Sequence, residues 1–534
     1  MTTGQTSDPL PPQRPAIRGV LLRRPSARGR WAPAARAGLS LALPATILAL
    51  CGFGTGSLLA AMGAFAVLYG ERRAYLVRWR VILTAGVLLT AMAALFGALG
   101  SLAGPDASTV VDLGVVGALA VCAGISVFAG NALRLGPPGP FFFVLVAGVS
   151  QLVTRHGVDV GHLVMFSAAG ALASLVVGMA PVLSHPRGPE TAATTAALEA
   201  AESYLASNSG ADPAARHGVA LSTLNAWTVL HDAAATDSEL AQRLWAAHQK
   251  VHDAQVSSFV APLPRPSVAR RLAFAARLDS HAAVSAFRAA VAAALAGSIA
   301  VLSGLGRPDW AILGAVLVLQ LGPDRVHGSI RGAQRVLGTV AGVALYAILH
   351  VLDLHVGPLI VVLAILNVLI ELTVATNYAV AVLFITPLAL LMGGPSTPLP
   401  VQIGERIGET VLGVAVAIAA VWLLLPRIHR RTLHSADSAV LHAGTRVLTD
   451  GATSPVDADG MRQNRRDLQW QLVEAELAAT DSACDEPAWA REQWPEHTRI
   501  AAVGYDVLGA CWRTPLGQPI GDGVRAELSS RITH

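Results

Sequence analysis

Apolar residues are not spread evenly along this chain but fall in blocks. In the first half these lie near residues 35–53, 55–70, 81–103, 110–130, 140–154 and 161–183. In the second half they lie near 287–305, 309–322, 334–351, 356–370, 377–392 and 405–425. A helix of about 20 apolar residues crosses the roughly 30 Å hydrocarbon core of a bilayer. The pattern therefore predicts an all-α, polytopic membrane protein with six spans per half. Several blocks are shorter than that, which fits tilted, kinked or re-entrant segments.

Two stretches break the apolar pattern. Residues 186–285 carry charged, Ala-rich segments in which Leu240, Leu244, Ala247 and Val251 recur at helical spacing, leaving Glu239, Arg243 and Lys250 on other faces. The tail reads the same way, with Trp470, Val473 and Leu477 on one face of a charged helix. Both predict small helical bundles that pack on each other, on the membrane block or on a second subunit. Residues 1–33 are rich in Pro and Arg and lack an apolar core, so they read as a disordered cytoplasmic tail rather than a cleaved signal. The expected order is a tail over 1–33, a first membrane block over 34–185 and a cytoplasmic helical domain over 186–285. A second membrane block over 286–426 and a cytoplasmic helical C-terminal domain over 427–534 follow. This amounts to two six-span helical bundles in tandem, each followed by a cytoplasmic helical region.

The two blocks are related in sequence. Residues 36–73 align without a gap on 288–325, with ten of 38 positions identical. Arg36 matches Arg288, Gly52 matches Gly304, Gly54 matches Gly306, Gly70 matches Gly322 and Arg73 matches Arg325. Internal repeats of membrane modules are the usual build of transporters and channels. Halves of six spans share one orientation, which places their symmetry axis along the membrane normal and a pathway near their interface.

Composition agrees: 53% of residues are hydrophobic and 14% charged, and mean hydropathy is +0.52, far from a soluble domain. Basic charge is almost all arginine, and with the N-terminus inside it concentrates in inside loops. Those loops carry Arg23, Arg24, Arg28, Arg30, Arg72, Arg73, Arg78, Arg80, Arg134, Arg187, Arg325, Arg331, Arg427, Arg430 and Arg431, against Arg155 and Arg307 outside. That asymmetry predicts cytoplasmic termini in a cell inner (plasma) membrane. No segment resembles a nucleic-acid-binding arm. Cys51, Cys122, Cys484 and Cys511 have no metal-pair spacing. No phosphate loop, nucleophile elbow or paired carboxylates stand out, so no catalytic residue, metal or cofactor is expected. His156-x-x-Asp159-x-x-His162 has ligand-type residues but falls in a short outside loop, and Gly52-x-Gly54-x-Gly56 reads as a membrane-edge turn.

The second block holds a further symmetry. Arg335-x-x-x-Thr339-x-x-Gly342 recurs as Arg406-x-x-x-Thr410-x-x-Gly413, preceded by Asp309-Trp310 and Asn377-Tyr378 respectively. A three-plus-three inverted repeat places the two motifs at opposite faces of one shared region; two unrelated helix-packing motifs read equally simply. Ionisable residues inside spans are costly, roughly 2.5 to 3.5 kcal/mol each at a helix centre, so each calls for a reason. Arg36 and Arg288 are either snorkelling anchors or anion-attracting groups at the cytoplasmic mouth. Arg335 and Arg406 have the donor geometry to hold a carboxylate. Glu409 either neutralises Arg406 or exchanges protons during transport. Glu371, near the connection between the fourth and fifth spans, is either an ordinary loop charge or a second proton-exchanging group.

From Arg288 to Gly342, with Gly304-Leu-Gly306, Asp309-Trp310 and Arg335-x-x-Gly-Thr-x-x-Gly342, the sequence resembles the fusaric-acid-resistance-type (FUSC) membrane superfamily. Asn377-Tyr378, Arg406-x-x-Glu-Thr-x-x-Gly413 and Pro426 extend the resemblance. The first block departs from it, with Ser57-Leu58 where the second has Asp309-Trp310. The superfamily includes aromatic carboxylic acid exporters and, more distantly, plant aluminium-activated malate transporters. The resemblance implies an exporter of small organic, aromatic anions driven by the proton gradient. Arg288, Arg335 and Arg406 would attract the carboxylate, Trp310 and Tyr378 would give ring contacts, and Glu371 and Glu409 would couple to protons. A passive anion channel and a membrane scaffold recruiting an envelope-building partner are the alternatives. The partners expected are a small organic anion, membrane lipid and, as a candidate, a second copy of the chain, with no nucleic acid.

Overall fold

The computed structural model describes residues 10–533 except 17–18, 21–23, 25, 27–28, 137, 207–212, 255–258 and 394–397. Residues 1–9 of the expected tail, with Arg23 and Arg28, lie outside the described residues. Elsewhere the tail touches the body: Arg14 donates to the carbonyls of Cys484 and Asp485, and Arg30 to Glu371.

Every described element is helical. The first membrane block contains α1 (Trp31–Leu48), a broken run of short helical turns over 49–68, α2 (Tyr75–Ala103), α3 (Thr109–Ala132), α4 (Phe141–Arg155) and α5 (Val160–Met179). The polar insertion contains α6 (Gly188–Ala206), α7 (Pro213–Asp232), α8 (Glu239–His252) and α9 (Val268–Ala275). The second block follows as α10 (His281–Leu302), α11 (Pro308–Leu319), α12 (Arg325–Val351), α13 (Val356–Thr373), α14 (Tyr378–Gly393) and α15 (Leu399–Leu423). The chain ends in α16 (Ile428–Asp450), α17 (Asp459–Asp485), α18 (Pro487–Arg513) and α19 (Asp522–Thr533).

Among the described residues, eight helical stretches are long and apolar enough to cross a membrane: 31–68, 160–183, α2, α3, α10, α12, α13 and α15. α4, α11 and α14 are apolar but shorter. α11, with 12 residues, reaches only about 18 Å. The long helices expose Leu43, Ile47, Val87, Ile125, Leu172, Val176, Ile348 and Val361. Outward-facing apolar surface on helices of this length marks contact with a membrane or another protein, and the hydropathy of the helices points to the membrane. The protein is a multi-pass membrane protein.

The repeat glycines fall where the chain turns sharply. Gly52 (φ 92°) and Gly304 (φ 70°) close the first helix of each copy, and Gly70 (φ 78°) and Gly322 (φ 143°) follow its short second segment. A side chain there would be strained. The repeat arginines brace the same unit. Arg36 pairs with Glu71, while Arg288 donates to the carbonyl of Pro323 at 2.7 Å, the position equivalent to Glu71 at the repeat offset.

Helix pairing repeats too. Within the first block α2 packs on α4 and α5, and the 49–68 run packs on α5. In the same order, α12 packs on α14 and α15, and α11 packs on α15. Between the blocks the pairing is reciprocal, α1 against α13 and α3 against α10. Asn367 donates to the Ala37 carbonyl across the first pair, and Gly124 faces Ala290 across the second. Both large apolar cores draw on both halves, so the halves share their interiors rather than each enclosing its own.

The polar helices cover one end of this membrane body. Ion pairs tie them to its loops: Arg73 to Asp232, Arg134 to Glu474 and Arg325 to Asp485. All these arginines belong to the loops that carry most of the basic charge.

Candidate functional site

α15 approaches α11 so closely because residue 413 is glycine. A Cβ there would strike the carbonyl of Ala311 and lie 3.1 Å from the Ala315 nitrogen. Two turns before Gly413, on the same face, stands Arg406. Its guanidinium carbon lies over the Trp310 ring, 3.6 Å from the centroid. α12 meets α14 in the same manner, with Gly338 and Gly342 against the backbone of Ala379 and Leu383. Arg335, one turn before Thr339, is thereby sunk in the body. The Arg-Thr-Gly spacing is thus a packing device with a cation attached: the glycine admits the neighbouring helix, and the arginine shares its face.

Arg335 is 0% exposed and Arg406 1%. No guanidinium nitrogen of either has a hydrogen-bond partner. The same holds for both carboxylate oxygens of Glu409, the Thr339 hydroxyl, the Trp310 indole nitrogen and the Tyr378 hydroxyl. The charges that bear on Arg406 are those of Arg335, Glu409, Arg307 and Asp309. Asp309 is occupied by Arg307, held through both oxygens at 3.1 and 2.9 Å, and Arg307 also sits 5.4 Å from the Trp310 centroid. Glu409 and Arg406 form no ion pair.

Burying a cation costs several kcal/mol unless something compensates it. The Trp310 face returns about 2 kcal/mol in a dry setting and leaves all the N–H donors unused. Nearly all buried polar groups in proteins are satisfied, and these two guanidinium groups, each with every donor unpartnered, stand as exceptions, with the charge of Arg335 bearing on Arg406. The planar forks suit a carboxylate, and the indole beside them suits an apolar or aromatic body.

The remaining expected residues stand elsewhere. Arg288 is buried, and its nitrogens donate to the carbonyls of Pro323, Leu424 and Leu425, which leaves it the work of a brace. Glu371 accepts from Arg30 at 2.8 Å, at the end of α13 away from the arginine pair. Tyr378 lies 5.5 Å from Arg331, one turn before Arg335 on α12. His156 donates from Nδ1 to the Leu152 carbonyl, and Asp159 caps α5 by accepting from the His162 amide, so that loop is held by turn contacts. Thr339, Arg307 and Arg331 were not among the expected site residues; the signal for Thr339 was its place inside the repeated motif.

Residues 293–420 match the family model described as fusaric acid resistance protein-like. The matched stretch begins within α10 and ends within α15, and contains Trp310, Arg335, Arg406 and Glu409. No curated protein and no solved structure shows significant similarity to the chain.

Proposed function

We propose that this chain, whose second membrane block belongs to the fusaric acid resistance protein-like family, exports small organic anions, aromatic acids among them, across the plasma membrane. The observation that carries the reading is the pair of fully buried guanidinium groups, Arg335 and Arg406, with every donor unpartnered. The substrate carboxylate bridges them in place of the missing acceptors, and its apolar body lies against Trp310. Arg288 is left to its structural bonds. Glu409, on the Arg406 helix and free at both oxygens, is the group that trades a proton against the substrate and so lets a proton gradient drive export. The polar helices face the cytoplasm, since their side of the body carries the concentrated arginines.

Uptake of benzoate and succinate into vesicles containing the purified chain, with and without an imposed pH gradient, tests this. Benzoate accumulation that follows the gradient and disappears in the R335Q/R406Q variant is the expected result. Currents indifferent to pH would replace the exporter with a passive channel. Unchanged uptake in the double variant would remove the arginine pair from the pathway.

A further inference from the structure

A chamber of about 380 Å³ lies between the membrane body and the polar helices, away from the arginine pair. Five separate segments wall it: the end of α3 and the loop after it, α9 with the turn into α10, the end of α11, α16, and α17. Its size is that of a pocket for a small organic molecule.

Its wall has the same chemical character as the buried pair. Trp470 lies under the Arg134 guanidinium at 3.9 Å, with Arg271 6.0 Å from the same ring. Arg134 is balanced by Glu474 at 2.5 Å. Arg271 is not balanced in this way. It is 6% exposed, donates once, to the Leu133 carbonyl at 2.9 Å, and leaves its Nε without a partner. Burial, with Arg73 and Arg134 close by, pulls its guanidinium down to about 10 against the pull of Asp232. Gln320, also 6% exposed, lies in the same wall. A buried cation crowded by cations thus lines a cavity with an indole in it.

We infer that this chamber is a second binding station for an organic carboxylate, where Arg271 holds the anion before it reaches the buried pair. The inference rests on the export reading for its direction, though not for the binding itself. α11 connects the two stations: Trp310 sits at its start under Arg406, and Gln320 caps its end in the chamber wall. The ten residues between them span about 15 Å, more than the length of a benzoate ion, so the stations are distinct.

The test uses the full chain in lipid nanodiscs with benzoate as probe, measured by calorimetry, and the same proteins in vesicles for transport. The R335Q/R406Q variant is expected to keep benzoate binding while losing transport. R271Q in the R335Q/R406Q background is expected to weaken that binding at least about tenfold, the usual loss for a charge-assisted hydrogen bond. In the otherwise native chain, R271Q should raise the concentration needed for half-maximal transport from the polar-helix side and leave the maximal rate unchanged. A275F, which fills the chamber without removing a charge, should act like R271Q, and R271K should restore part of the binding. The chamber assignment is overturned if R335Q/R406Q binds no benzoate, or if R271Q and A275F leave both binding and half-saturation unchanged. Absence of transport in the native chain, with Arg271-dependent binding intact, would instead reject the export reading and keep the chamber.

Discussion

At Arg406 burial and hydrogen bonding are out of balance. Its ring partner is present and its hydrogen-bond partners are not, so the energy of burial is only partly offset by the protein itself. R406Q removes the cation while keeping a polar side chain, and should cut benzoate uptake at least about tenfold, because a charge-assisted contact is worth roughly 1.5 to 3 kcal/mol. E409Q should behave differently: uptake down a concentration gradient persists, but the response to an imposed pH gradient is lost. A buried histidine in the polar helices gives a test of pH dependence. Burial works against the charge of His497, but hydrogen bonds to Asp437 (2.8 Å) and Glu476 (3.4 Å) outweigh it and raise its pKa to about 9. A pKa raised on folding means stabilisation that is complete below about 6.5, the unfolded value, and is lost as pH climbs through 9. H497Q should therefore lower thermal stability at pH 6, by up to about 3 kcal/mol, with the deficit closing towards pH 10. A deficit of equal size at both pH values would show that packing, not charge, is what His497 supplies.

At the level of elements, glycine placement decides which helices touch. G413V puts a branched side chain where the Ala311 carbonyl stands, so α15 must move off α11 and Arg406 off Trp310. Loss of benzoate uptake with reduced thermal stability is the expected outcome. G404A, on the same helix with nothing within 4 Å of the added carbon, should match the unaltered protein in both. The repeated Arg-Thr-Gly motif was readable from sequence because helical periodicity alone fixes that those three residues share a face. Each apolar block likewise coincides with helical structure, since bilayer thickness and backbone satisfaction leave little else. The role of Arg288 was not readable: its acceptors include carbonyls 136 and 137 residues away, and carbonyls leave no mark in a sequence. The chamber was hidden for a related reason, as its wall comes from segments that only the tertiary fold brings together. Trp470 could be placed on an apolar helix face, but nothing local told that an arginine from the first block would lie over it.

For the whole molecule, the side of the membrane on which the polar helices stand is open to a direct measurement with native cysteines. Cys51 is exposed at the turn after α1, at the end opposite the polar helices, while Cys484 and Cys511 are buried among them and Cys122 is half-buried. A membrane-impermeant thiol reagent added to intact cells should label Cys51 alone, and a C51S variant should not react. Labelling of C51S from outside would reverse the orientation. The reciprocal pairing of α1 with α13 and of α3 with α10 carries a consequence for biogenesis. When the ribosome has delivered the first block, the surfaces of α1 and α3 meant for helices still untranslated can rest only against lipid. The nascent protein thus stays unfinished until roughly residue 373 has emerged, and neither half should survive proteolysis when synthesised by itself. Expressing the two fragments together, cut within 207–212, should rescue both.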